Sequence, residues 1–192
     1  MDLIPPAPGA PSLTAHRFFF ALRPDPVTAR RTHAFAESEC GQTGLLEPER
    51  LHVTLALTPD RTDAPTSLID ALRRAGDTVR AAPFDLSLDR LSAGRHTIAL
   101  RPGRTVAPLM ELQARIVAAM AAHDVALRPD WAFSPHETLC YRKGEPFSRP
   151  VTGFGWAVRD FVLIHSFVGL HRHDVIARWP LRSPEPVQGS LF

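Results

Sequence analysis

Arg50-Leu-His-Val-Thr-Leu-Ala-Leu57 decides the reading of this chain, because its centre, His52-Val53-Thr54-Leu55, is spelled again as His136-Glu137-Thr138-Leu139 within Ser134-Pro-His-Glu-Thr-Leu-Cys-Tyr141. Both stretches read as strands, in which side chains alternate between two faces. His and Thr at i and i+2 therefore share a face in each copy, while Val53 and Leu55 turn to the other. An imidazole with a hydroxyl beside it, supplied twice, is the donor set that metal-free acid/base chemistry on a phosphate requires. A single H-x-T is a match that composition produces by accident. Two copies of H-x-T-L in apolar strands outweigh the plainer account of a core histidine beside a strand-favouring threonine.

Working outward, Arg17-Phe-Phe-Phe-Ala-Leu22 reads as a buried strand. Asp25-Pro26 supplies an N-cap and a first-turn proline for a helix that runs to Cys40 and stops at Gly41. The first motif strand spans 50–58. Asp63-Ala-Pro65 opens a second helix, with Leu68, Ile69 and Leu72 at helical spacing. Phe84, Leu86 and Leu88 alternate as in a half-buried strand, and His96-Thr-Ile-Ala-Leu100 reads as another. A third helix is expected from Val106 to about His123, then the second motif strand at 133–141 and two more strands near 158–168 and 174–181. That order predicts an α+β fold with mixed or largely antiparallel sheets. Each half carries a motif strand and a long helix, so two similar lobes facing each other across a groove would bring His52 and His136 together. Residues 1–15 read as a disordered lead-in, 16–182 as one bilobal domain and 183–192 as a loose tail.

Composition narrows the setting. The 192 residues carry 22 Lys+Arg against 20 Asp+Glu, a formal charge of +2, which disfavours bulk electrostatic binding to long duplex DNA. Lys143 is the only lysine, and an arginine-lined cleft is compatible with the rest. Cys40 and Cys140 lack metal-ligand spacing and fit a reduced, cytoplasmic protein. No apolar run approaches the roughly 18 residues that would span a bilayer, and no Gly-rich phosphate loop is present. The expectation is therefore a cytoplasmic monomer with no cofactor, no metal, no membrane association and no obligate protein partner.

The paired motifs, the opening Arg17–Leu22 strand, Phe84-Asp-Leu-Ser-Leu-Asp-Arg-Leu91 and the closing Phe161-Val-Leu-Ile-His-Ser166 with Ala177-Arg-Trp-Pro-Leu181 together resemble the two-histidine (2H) phosphoesterase superfamily, specifically its bacterial 2′-5′ RNA ligase or RNA 2′,3′-cyclic phosphodiesterase family. The resemblance spans roughly residues 16–182. It implies a bilobal fold of two mostly antiparallel sheets flanked by helices, with a central cleft. It also implies hydrolysis of RNA 3′ ends carrying a 2′,3′-cyclic phosphate to 2′-phosphates, with His52 as general acid, His136 as base and Thr54 and Thr138 on the phosphate. Weak 2′-5′ ligation would use the same groups. Two departures stand out. Ala56-Leu57-Thr58-Pro59 replaces the Phe-Leu-Gly turn common in the family. Tyr141 occupies the place of an arginine, with Arg142 one position later, and a one-residue shift on a strand turns a side chain to the opposite face. Tyr141 and Arg142 are the candidate substrate contacts.

The residues alone do not orient the pair as acid and base. They also leave open the same chemistry on a small cyclic nucleotide or a cyclic phosphate of ADP-ribose, and a non-catalytic RNA or nucleotide binder. His171-Arg-His173 reads as two imidazoles on one strand face with His165 nearby, half of a metal site at most. Phe18–Phe20 read as core. Trp131, Phe133, Tyr141 and Trp156 are candidates for the cleft or the core. Arg128, Arg142 and Lys143 are candidates for phosphate contacts near the second motif.

Overall fold

Antiparallel strand pairing organises the fold, and every ladder among the described residues runs antiparallel. The computed structural model describes residues 15–182, so residues 1–14 of the expected lead-in (1–15) and the whole expected tail (183–192) lie outside the described residues. Ala15, assigned from sequence to the lead-in, opens the first strand. In chain order the elements are β1 (Ala15–Leu22), α1 (Pro26–Cys40), a 3-10 turn (Pro48–Arg50), β2 (Val53–Leu57), α2 (Thr66–Thr78), β3 (Phe84–Ser87), β4 (Arg90–Ala93), β5 (Thr97–Arg101), α3 (Ala107–Ala122), β6 (Glu137–Tyr141), β7 (Phe147–Pro150), β8 (Gly155–Val158), β9 (Asp160–Val168) and β10 (Arg172–Pro180).

One eight-stranded sheet in the order β10-β9-β1-β2-β6-β5-β4-β7 is joined by a two-stranded sheet, β3-β8. The large sheet divides into two four-stranded halves that meet at β2 and β6, the motif strands. That contact is narrow, with Val53 and Glu137 as its register pair. The helices cross between the halves: α1, from the first half of the chain, packs on β6, and α3, from the second, packs on β2. A continuous apolar core lies behind both motif strands and includes Leu51, Val53, Leu55 and Leu139 with Leu109, Leu112 and Ile116 of α3. Removing a side chain such as Leu55, which is fully buried, costs about 2–5 kcal/mol.

Local sequence explains the helix ends. The Asp25 carboxylate accepts from the backbone N–H groups of Val27 (2.9 Å) and Thr28 (3.0 Å), and Gly41 N–H closes the helix on the Glu37 carbonyl at 3.0 Å. In α2, Gly76 admits the Trp179 ring so closely that a Cβ would lie 2.3 Å from it. Three short strands, β4, β7 and β8, are absent from the sequence reading, and the strand expected near 158–168 is β9, which begins at Asp160. β7 is a four-residue edge strand with every residue exposed, so it has no apolar alternation to detect.

Candidate active site

Burial alternates through each motif: Leu51, Val53 and Leu55 are buried while His52 and Thr54 are half-buried, and Glu137 and Leu139 are buried while His136 and Thr138 are half-buried. Each histidine sits one residue before its strand, where the chain turns in, through the Pro48–Arg50 turn in one case and past Pro135 in the other. Because Val53 faces Glu137 across an antiparallel pair, the register sets His52 beside Thr138 and His136 beside Thr54. A local two-fold axis between the strands thus places a crossed quartet on one face. Those four residues line a single open cleft of about 170 Å³.

The symmetry extends outward. Ala21 of β1 pairs with Thr54, and Ala99 of β5 pairs with Thr138. Each threonine is therefore flanked by an alanine on the side away from the axis. A bulge follows the same logic in both flanking strands, at Phe20/Ala21 and at Ile98/Ala99.

Both imidazoles have their tautomer fixed by the backbone. His52 Nδ1 donates to the Arg50 carbonyl at 2.6 Å, and His136 Nδ1 donates to the Ser134 carbonyl at 2.6 Å. A carbonyl only accepts, so each neutral ring carries its proton on Nδ1 and leaves Nε2 as a free base. Burial pushes the His52 pKa down to about 4; the Arg50 carbonyl opposes this, while His136, Arg23 and Arg50 reinforce it through their positive charge. His136 is also lowered, first by burial and then by Arg101, again against its carbonyl partner. Behind the pair, burial raises the Glu137 carboxyl to about 8. Its Oε1 has no hydrogen-bond partner and is shut off from solvent.

Of the other candidates, Tyr141 lines the cleft and is 56% exposed. Arg142 is not among the lining residues; it follows the end of β6, and its backbone N–H bonds the His96 carbonyl. Arg128 bonds Asp60 at 3.4 Å, and Lys143 is exposed in a loop. Trp131 packs with the small cluster of Phe19, Ala21, Leu57, Val162 and Ile164, and Trp156 packs on the main core. Phe18, Phe19 and Phe20 are all buried in the core as expected, and Phe19, in the smaller cluster, also lines the cleft, its ring 4.9 Å from that of His52.

His173 is the larger surprise. Its ring lies 5.4 Å from both His52 and Phe19, edge-on to each, and it lines the cleft. His171 does not share a strand face with it, since β10 begins at Arg172 and His171 sits in the preceding turn with φ 53°. His165 is on the opposite side of the sheet, stacked on Phe18 and 2.8 Å from His16 Nδ1 through its Nε2. Among the described residues no three or more His, Cys, Asp or Glu side chains are grouped to hold a metal ion.

Arg17, Ser166 and His173 form one row across β1, β9 and β10, and all three line the cleft. The row is invisible in sequence because it depends on strand order. The signal that existed was Ser166, a polar residue within the apolar run of β9; it is buried here.

A family model described as the 2′-5′ RNA ligase superfamily matches residues 19–153, a span that contains both motifs. The chain belongs to the 2′-5′ RNA ligase superfamily. Its fold is that of the superfamily's two-histidine phosphoesterases. The Escherichia coli LigT structure with 3′-AMP superposes with a TM-score of 0.72 at 21% identity, covering 88% of this chain and 99% of LigT. LigT in its apo form gives 0.69 at 24% identity over the same shares. TT0787 of Thermus thermophilus gives 0.66 at 22% identity, covering 86% of this chain and 98% of that one. No curated protein matches the chain in sequence. Within this superfamily member, no helix among the described residues is long and apolar enough to cross a membrane.

Proposed function

We propose that this protein hydrolyses 2′,3′-cyclic phosphates at RNA 3′ ends to 2′-phosphomonoesters, without a metal ion. The observation that carries the proposal is the crossed quartet around the local two-fold axis, with one free Nε2 at each histidine. In-line displacement needs a base on one side of phosphorus and an acid on the other, and two-fold related imidazoles meet that need. His136 takes a proton from water as it attacks phosphorus. The P–O3′ bond breaks, and His52, in its protonated form, delivers a proton to the departing 3′ oxygen. Thr54 and Thr138 donate to the non-bridging oxygens as charge builds there. This acid and base assignment follows the family resemblance, since the two-fold arrangement by itself is indifferent to direction.

LigT, which shares the fold, has been crystallised with 3′-AMP and with phosphate, and that supports a cleft shaped for a nucleotide phosphate. With a 5′-hydroxyl in place of water, the same groups would join two ends through a 2′-5′ bond. The test is incubation with RNA ending in a 2′,3′-cyclic phosphate in the presence of EDTA, followed by identification of the product. A 2′-phosphate is expected. A 3′-phosphate would reverse the leaving oxygen, and activity that vanished in EDTA and returned with zinc or manganese would replace the mechanism.

A further inference from the structure

The reaction just described leaves one wall of the cleft unused. Arg50 and His173 stand there, beside His52, and each carries a nitrogen that is shut off from solvent with no hydrogen-bond partner: Nε of Arg50 and Nδ1 of His173. Arg17, on the same wall, is held by Asp60 through two bonds of 2.6 and 2.8 Å. Arg50 has no such carboxylate among the described residues; its side-chain contact is His171 Nδ1 at a long 3.4 Å. A cation lining a cleft without a counter-charge is a place for an anion.

We infer that Arg50 and His173 form a second phosphoryl subsite, which receives the 5′-phosphoryl group on the same ribose whose cyclic phosphate lies between His52 and His136. The inference rests on the proposed function and names the class of substrate within it. The subsite adjoins the catalytic pair: the His173 ring lies 5.4 Å from that of His52, and Arg50 lines the same cleft, so one ribose can present its 5′-phosphoryl group there while its cyclic phosphate lies between the two histidines. A buried N–H left unpaired is rarer than an unpaired acceptor. The proton of neutral His173 therefore belongs on Nε2, which is not among the shut-off atoms. His173 then offers a neutral N–H donor next to the Arg50 charge, a pairing suited to phosphoryl oxygens.

Two kinds of molecule carry that group. In an RNA chain the 5′ oxygen of the terminal nucleotide bears the internucleotide phosphate; in a cyclic phosphate of ADP-ribose it bears a pyrophosphate. A cyclic mononucleoside phosphate has nothing there.

Calorimetric titration with adenosine 2′,5′-bisphosphate and adenosine 2′-monophosphate tests the subsite without turnover. The wild-type protein should prefer the bisphosphate by roughly ten- to a hundredfold. In Arg50→Met that preference should fall toward one, and in His173→Phe it should fall part of the way. Equal binding of the two ligands by the wild type, no binding of either, or variants that weaken both ligands alike would overturn the inference. A protein that prefers the bisphosphate yet hydrolyses no cyclic phosphate would keep the subsite and lose the proposed reaction. Hydrolysis with no such preference would do the reverse. Comparing kcat/KM for a cyclic-ended dinucleotide and for ADP-ribose cyclic phosphate, each expected to exceed cytidine 2′,3′-cyclic phosphate, then names the source of the 5′-phosphoryl group.

Discussion

Val53 and Glu137, the residues between histidine and threonine in the two motifs, face each other across the strand pair that joins the halves of the sheet. The halves of the site are therefore related by register and not by loop placement. A slip of one residue between β2 and β6 would dismantle the quartet, since it would turn one motif's His and Thr into the core.

The first prediction concerns that quartet. His52→Ala and His136→Ala should each lower kcat by about 10²–10⁴-fold or more, with the far-ultraviolet circular dichroism and Tm close to wild type because both rings are only half-buried. Thr54→Ala and Thr138→Ala should each cost about a hundredfold. Near-wild-type turnover in either histidine variant would end the acid/base assignment.

The pH dependence follows from the pKa directions. The proposed reaction needs one imidazole charged and one neutral in the free protein, the state on which kcat/KM reports. His52 is held at about 4 and His136 is also lowered, so both titrate below the ordinary value of roughly 6.5. The singly protonated form then peaks on the acid side, and kcat/KM should fall about tenfold per unit as pH rises above 6.5. A bound phosphate anion favours the charged imidazole and raises both pKa values, so the kcat profile should lie at higher pH than the kcat/KM profile. Profiles measured with a cyclic mononucleotide decide this; a kcat/KM optimum near pH 8 would contradict it.

Much of this site was legible in the sequence, and the part that was not has a physical reason. His52, Thr54, His136 and Thr138 announce themselves through a repeated period-two pattern, which is local. The capped helix α1 is local too, written in Asp25, Pro26 and Gly41. Phe19, Arg50 and His173 reach the cleft only because β1 lies beside β2 and β10 lies two strands beyond, with a bend at Arg50. None of that is encoded within a short window. Phe19 is hidden among three phenylalanines whose alternation cannot be read from identity alone, because both faces of β1 are covered.

A third prediction tests the loop that continues the ladder past β2. Tyr141 N–H donates to the Gly44 carbonyl, and Leu46 N–H donates to the Leu139 carbonyl, both at 2.9 Å. Gly44 has φ +73°, and a Cβ there would meet the Tyr141 carbonyl oxygen at 2.3 Å. Gly44→Ala therefore combines backbone strain with a backbone clash and should destabilise by more than about 1 kcal/mol. Since β6 must give way, kcat should drop as well. Urea denaturation that left the midpoint unchanged would show the loop to be more yielding than its contacts imply.

The last prediction concerns Glu137, 1% exposed and raised to about 8 by burial. The unfolded chain releases this proton near the ordinary glutamate value of roughly 4.3, whereas the folded protein keeps it up to about pH 8. Between those limits the folded state binds more protons, so the contribution to stability is full below the lower limit and is lost as pH rises through the window. At pH 7 the loss is on the order of 3 kcal/mol. Glutamine has nearly the same shape and cannot ionise, so Glu137→Gln should match wild type near pH 4 and exceed it at pH 7–8. The depressed histidines slope the other way, losing stability as pH falls below roughly 6.5, but they are common to both proteins and cancel in the difference. Urea unfolding of wild type and variant at unit pH steps from 4 to 8 measures that difference directly. A flat difference across the range would mean that the Glu137 carboxyl is solvated in the folded protein after all.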